Sequence, residues 1–90
     1  MAEYKLLFKR SVAKDLRSVP KKDLARILER IRALANEPRP PGCEKLSGGE
    51  SYRVRQGVYR IIYTVSDTEV CIVVVKVAHR KDAYRGSGAG

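Results

Sequence analysis

The sequence predicts an α+β domain: an N-terminal strand, a two-helix hairpin, then an antiparallel meander of three to four strands, with the helices packed on one sheet face. Three observations lead there. Residues Tyr4 to Lys9 alternate in character as a strand does, apolar residues recur at helical spacing between residues 12 and 35, and the second half holds β-branched and aromatic runs divided by short turns. At 90 residues with 43% hydrophobic content, the chain is one domain, long enough to bury a core. The domain is expected over residues 1–85, with 86–90 (GSGAG) as a flexible tail.

Each element has its own warrant. In Tyr4 to Lys9, Tyr4, Leu6 and Phe8 share one strand face and Leu7 takes the other. Ser11 is placed to cap a short helix whose apolar positions are Val12, Leu16 and Val19. Pro20 suits the first position of the second helix. There Leu24, Ile27, Leu28, Ile31, Leu34 and Ala35 form one apolar stripe, stopped by Asn36 and Pro38. Glu44 to Leu46 reads as a short edge strand and Tyr52 to Arg55 as the next. Gln56-Gly57 turns the chain into Val58 to Val65. Ser66-Asp67-Thr68 makes the last turn, and the β-branched segment Glu69 to Ala78 is expected at the centre of the sheet.

The charge is +9, from 19 basic and 10 acidic residues. Ten basic and four acidic residues fall within 1–35, and residues 51–65 carry three arginines and no acid. Such an excess points to a polyanionic partner, nucleic acid first. No apolar run is long enough for a transmembrane helix and the N-terminus is no signal peptide, so the expectation is a cytoplasmic protein without membrane attachment. Cys43 and Cys71 form no CxxC pair and are read as free thiols, Cys71 as a small core residue. Two cysteines and one histidine are too few for a structural zinc site. Glu44, Glu50, Asp67, Glu69 and Asp82 are too scattered to hold Mg²⁺, so neither a metal nor a small-molecule cofactor is expected.

The meander carries the chemistry. Arg53 and Arg55 share one strand face while Tyr52 and Val54 take the other. Arg60 interrupts VYRIIYTV, a segment otherwise suited to burial, and the intervening turn can bring it near Arg53 and Arg55. The last strand adds His79, Arg80 and then Tyr84. Like charges on neighbouring strands repel, so such a set is either solvated surface or an anion site. Guanidinium groups clamp phosphates and stabilise growing negative charge. Tyr84 can stack on a base, and His79 can move a proton near neutral pH. Without a metal, the natural nucleophile for a phosphodiester is RNA's own 2′-hydroxyl. The basic residues of the second helix, Lys21, Lys22, Arg26 and Arg30, are either a solvated face or contacts to RNA phosphates, as are Lys81 and Arg85.

On Leu46, Ser47-Gly48, the YRVR strand, VYRIIY and HRKDAYR, the chain resembles the RelE/ParE toxin superfamily over about residues 2–85, and the RelE branch more than the ParE branch. The resemblance implies a toxin of a type II toxin–antitoxin system that cleaves mRNA in the ribosomal A site. It implies 2′-hydroxyl attack leaving a 2′,3′-cyclic phosphate and a 5′-hydroxyl, and neutralisation by a cognate acidic, RelB-like antitoxin. The family's paired basic positions fall on Arg53 and Arg55, its next-strand arginine on Arg60, its C-terminal arginine on Arg80 and its late tyrosine on Tyr84. The best-known pattern has lysines at the paired positions, one a candidate general base. Arginine is a poorer proton acceptor, so the base stays open, with His79 as one candidate. Two other readings use the same charge: a ParE-like inhibitor of DNA gyrase acting by protein contact, and a non-catalytic basic RNA-binding module.

Overall fold

The computed structural model describes residues 3–46 and 49–81. Strand β1 (Lys5–Phe8) leads into helices α1 (Arg10–Arg17) and α2 (Lys21–Leu34), followed by strands β2 (Glu44–Lys45), β3 (Ser51–Gln56), β4 (Tyr59–Ser66) and β5 (Cys71–His79). The strands form one sheet in the order β1-β5-β4-β3-β2. Strands β2 to β5 are the antiparallel meander, and β1 pairs with β5 in parallel, from Lys5 opposite Cys71 to Phe8 opposite Val74. The sheet is therefore mixed. Its middle strand is β4, not the more β-branched β5, because β1 and β5 together occupy one flank.

The helical hairpin covers one face. Val12 and Val19 from the first helical segment and Ile27, Ile31 and Leu34 from α2 meet Tyr52, Val54, Ile61, Tyr63, Val65, Ile72, Val74 and Val77 of the sheet. Full burial of a side chain such as Ile27 contributes about 1.5–3 kcal/mol. The helix starts differ from expectation by two residues in α1 and one in α2. Ser11 lies inside α1 and Lys9 holds the N-cap position, without a side-chain capping bond. Pro20, with φ −56°, sits at the N-cap of α2 rather than at its first helical position. Val19 follows the end of α1 yet is buried, because the chain bends it back under the hairpin.

Two details of the sheet decide which side chains face outward. The β3–β4 turn is Gly57-Val58, one residue later than expected, with Gln56 opposite Tyr59. Gly57 adopts φ +64° and Val58 is not in the left-handed region, the pattern of a type II′ hairpin turn. In β5 the register slips: Ile62 faces Lys76 but Tyr63 faces Val74, leaving Val75 as a bulge. Burial follows the slip, with Ile72 and Val74 inward and then Val77, not Lys76. Every residue after Val75 is thereby switched to the opposite face.

A second arginine site lies away from the meander's basic strip. Arg39, between α2 and β2, donates from Nε to the Tyr52 hydroxyl at 2.9 Å and from two nitrogens to the Asp67 carboxylate at 3.2 and 2.9 Å. Tyr4 donates to the same carboxylate at 2.7 Å, and Glu50 lies 3.8 Å from Arg39. The Arg39 and Tyr4 hydrogen bonds hold the Asp67 carboxyl below the usual carboxylate range. Tyr63, buried beneath, donates to the Pro38 carbonyl at 2.7 Å, and burial pushes its phenol up. Cys43 and Cys71 are both free and only partly buried, so Cys71 is not the enclosed core residue expected of it. Its strand end lies beside β1's first residue and the β4–β5 turn, where packing is incomplete.

Candidate RNA-binding site on the uncovered sheet face

The face opposite the helices collects the arginines. Arg55 of β3 and Arg60 of β4 are direct cross-strand partners, so their side chains leave the sheet on one side, away from the buried Val54 and Ile61. Arg60 is only 6% exposed, an unusual place for a guanidinium. Arg80 follows β5 and is fixed by its backbone N–H, which donates to the Val58 carbonyl at 2.8 Å. Arg55, Arg60, Arg80 and the Gly57-Val58 turn line one depression of about 290 Å³. Like charges this close repel, so the arrangement favours an anion between them.

Arg53 shares this face but is engaged. Its Nε and a terminal nitrogen donate to one Glu44 oxygen at 3.1 and 2.6 Å. These bonds, and the fields of Arg53, Arg55 and Arg60, hold the Glu44 carboxyl below its usual range. Glu44 was grouped in the sequence with scattered acids. The β2–β3 register, Glu44 opposite Arg53, instead sets it beside the arginine strip. Among the described residues no carboxylate forms an ion pair with Arg55 or Arg80.

His79 is not brought together with these arginines. It pairs with Tyr59 across β4–β5, its ring edge-on to that tyrosine with centroids 5.5 Å apart, and lines a separate depression with Asp15 of α1 and Ser18 at that helix's C-cap. The Val75 bulge explains this: counting alternation straight from Val74 would place His79 outward and Arg80 inward, and the extra residue exchanges them. Nδ1 of His79 accepts the Lys81 backbone N–H at 3.3 Å. Lys81 itself is exposed.

The helix cations divide. Arg26 and Arg30 line a depression with Glu29, Ala33 and Gln56, and Arg30 also lines one with Gly42, Glu44 and Arg55. Lys21 and Lys22 are exposed at the start of α2 and border none of these depressions. Tyr84 and Arg85 lie outside the described residues. No described helix is long and apolar enough to cross a membrane.

Residues 6–84 match the family model described as ParE toxin of type II toxin–antitoxin system, parDE. Toxin RelG of Mycobacterium tuberculosis is 31% identical over 91% of this chain and 97% of the relative. Among solved structures, the fold resembles the RelE-RelB complex of Pyrococcus horikoshii OT3, with TM-score 0.79 and 34% identity over 87% of this chain and 96% of the other. It also resembles the RelB-RelE antitoxin–toxin complex of Methanococcus jannaschii, with TM-score 0.73 and 31% identity over 88% and 95% of the two chains. The fold thus has counterparts among toxin–antitoxin complexes, and the chain belongs to the ParE toxin family of type II toxin–antitoxin systems.

Proposed function

We propose that this toxin is a ribosome-dependent endoribonuclease that cuts mRNA in the ribosomal A site and so stops translation. The observation that carries the reading is the convergence of Arg55, Arg60 and Arg80, from three separate strand ends, on one depression of the uncovered sheet face. In the reaction the RNA's 2′-oxygen bonds to the adjacent phosphorus and the bond to the 5′-oxygen breaks. The 2′-hydroxyl loses its proton to a solvent water and the departing 5′-oxygen takes one from solvent, so protons balance over the step. The products are a 2′,3′-cyclic phosphate and a 5′-hydroxyl. Negative charge grows on the phosphate oxygens at the midpoint, and arginines fixed beforehand by strand pairing stabilise it without reorganising. Arg60, nearly buried, holds the most sheltered charge. Arg55 and Arg80 bracket the phosphate, and Tyr84 stacks on a neighbouring base. The guanidinium groups do not take the proton. His79, on the other face, is left to support the strand end instead.

The cognate antitoxin, in this reading an acidic RelB-like protein as in the RelE–RelB relatives, neutralises the toxin. Primer extension on translating ribosomes with the purified toxin tests the activity. Cleavage is expected with wild type, and Arg80→Ala, at an exposed position, is expected to lose about 10²–10³-fold. Unchanged cleavage in Arg80→Ala and in a folded Arg60→Gln, or none with wild type, overturns the reading. A gyrase supercoiling assay separates it from poisoning by protein contact.

A further inference from the structure

We infer that Arg30, with Arg26, forms a second phosphate subsite, into which the RNA strand held at Arg55, Arg60 and Arg80 continues around the open edge of β3. The inference rests on the ribonuclease reading and adds a path to it.

Three observations define the path. Strand β2 and Leu46 cover β3 only from Ser51 to Arg53, so among the described residues Val54 to Gln56 of β3 pair with β4 alone and leave their outer edge open. Second, the depressions along that edge are consecutive. The first is lined by Arg55, Arg60 and Arg80, the next by Arg55, Gly42, Glu44 and Arg30, and the third by Arg30, Arg26, Glu29 and Gln56. Each shares an arginine with its neighbour, so a chain of anions passing along them meets a cation at every step. Third, Arg30 has no counter-charge of its own. Its Nε is shut off from solvent with no hydrogen-bond partner, and among the described residues no carboxylate pairs with it. A guanidinium part-buried in that state has paid for desolvation and gained nothing in return, unless a ligand supplies the anion.

The acids on the path do not cancel it. Glu44 is committed to Arg53 at 2.6 Å, and Glu29 borders only the far depression. Five arginines face these two carboxylates. The spacing of cations along an edge, rather than in one cluster, fits a flexible strand with a phosphate at each nucleotide. It does not fit a single small anion.

The test is binding of oligoribonucleotides made uncleavable by 2′-O-methylation, followed by fluorescence anisotropy across a salt series. Probes of about three and about nine nucleotides span the inner site alone and the whole path. Arg30→Gln is expected to weaken the longer probe about fivefold to tenfold, leave the shorter nearly unchanged, and lower the salt slope by about 0.7 for one lost phosphate contact. Arg30→Lys is expected to keep the slope. Lys14→Gln removes the same charge from an exposed position on α1 and is expected to change neither probe. Equal losses on both probes, no loss, or a loss matched by Lys14→Gln overturns the inference. So does a loss confined to a hairpin RNA, which would assign the subsite to structured RNA, or confined to an acidic peptide, which would assign it to the antitoxin. Arg80→Gln separates the two proposals. If it weakens the short probe and Arg30→Gln spares the long one, only the subsite falls. If Arg80→Gln leaves both probes unchanged, the ribonuclease reading is at fault.

Discussion

One arginine in the α2–β2 connection and a cluster of arginines on the sheet do different work. Arg39 is surrounded by acceptors, with Asp67, Tyr52 and Glu50 around it and Tyr4 closing on the same carboxylate. It joins four segments that are far apart in sequence, and its charge is met by two carboxylates of the same chain. Arg55 and Arg80 lack any such carboxylate among the described residues, and the nearly buried Arg60 stands between them. Arg39 is met by partners of its own chain and serves the fold; the depression lined by Arg55, Arg60 and Arg80 serves a ligand in the reading proposed above. Arg53 lies between these cases, on the ligand face but held by Glu44.

The sharpest break of this comparison is exchange of function. Arg80→Ala is expected to abolish most mRNA cleavage while leaving thermal unfolding almost unchanged, as primer extension and circular dichroism together would show. Arg39→Met is expected to do the reverse. It strips the buried Tyr52 hydroxyl of a hydrogen bond worth about 1 kcal/mol, lowering Tm by about 4–8 °C, with cleavage by the folded fraction unchanged. A milder test addresses Arg53. Glu44→Gln frees that guanidinium and removes a carboxylate from the strip, so RNA affinity at low salt is expected to rise about two- to threefold, the scale of an exposed ion pair. The smallest effect concerns pH. The Asp67 carboxyl titrates below its usual range when folded, so its contribution is present above the unfolded value near 3.8 and is lost as pH falls through the folded one. Urea midpoints measured between pH 7 and 3 should fall less steeply for Asp67→Asn than for wild type.

Much of the arginine face is legible in sequence because strand alternation is a short-range rule. Tyr52 and Val54 turn inward, Arg53 and Arg55 outward, and a tight glycine turn places Arg60 opposite Arg55. The helix stripe is equally plain, and Ile27, Ile31 and Leu34 are buried as its spacing requires. His79 shows where such rules stop. Nothing in VCIVVVKVAHR announces that Val75 is skipped by its partner strand, and that single skip decides whether His79 or Arg80 joins the arginines. The exposed Lys76 beside a buried Val77 is the trace it leaves, legible only as a break in alternation. The Arg39 site was invisible for another reason: Tyr4 and Asp67 are 63 residues apart, and no local pattern links them. Glu44 needed the β2–β3 register before it could be seen beside Arg53.

The parallel pairing of β1 with β5 also sets a timetable. Lys5 finds its neighbour only at Cys71, and Phe8 only at Val74, so β1 waits for β5 to be made. Contacts this distant in sequence are slow to form and come late in folding. Arg80, just past β5, is threaded out later still. A nascent chain stalled before that point would lack both the partner that completes the sheet and the outermost arginine of the anion site. In a protein proposed to attack translating ribosomes, the topology postpones assembly of the anion site until β5 and Arg80 have both been made.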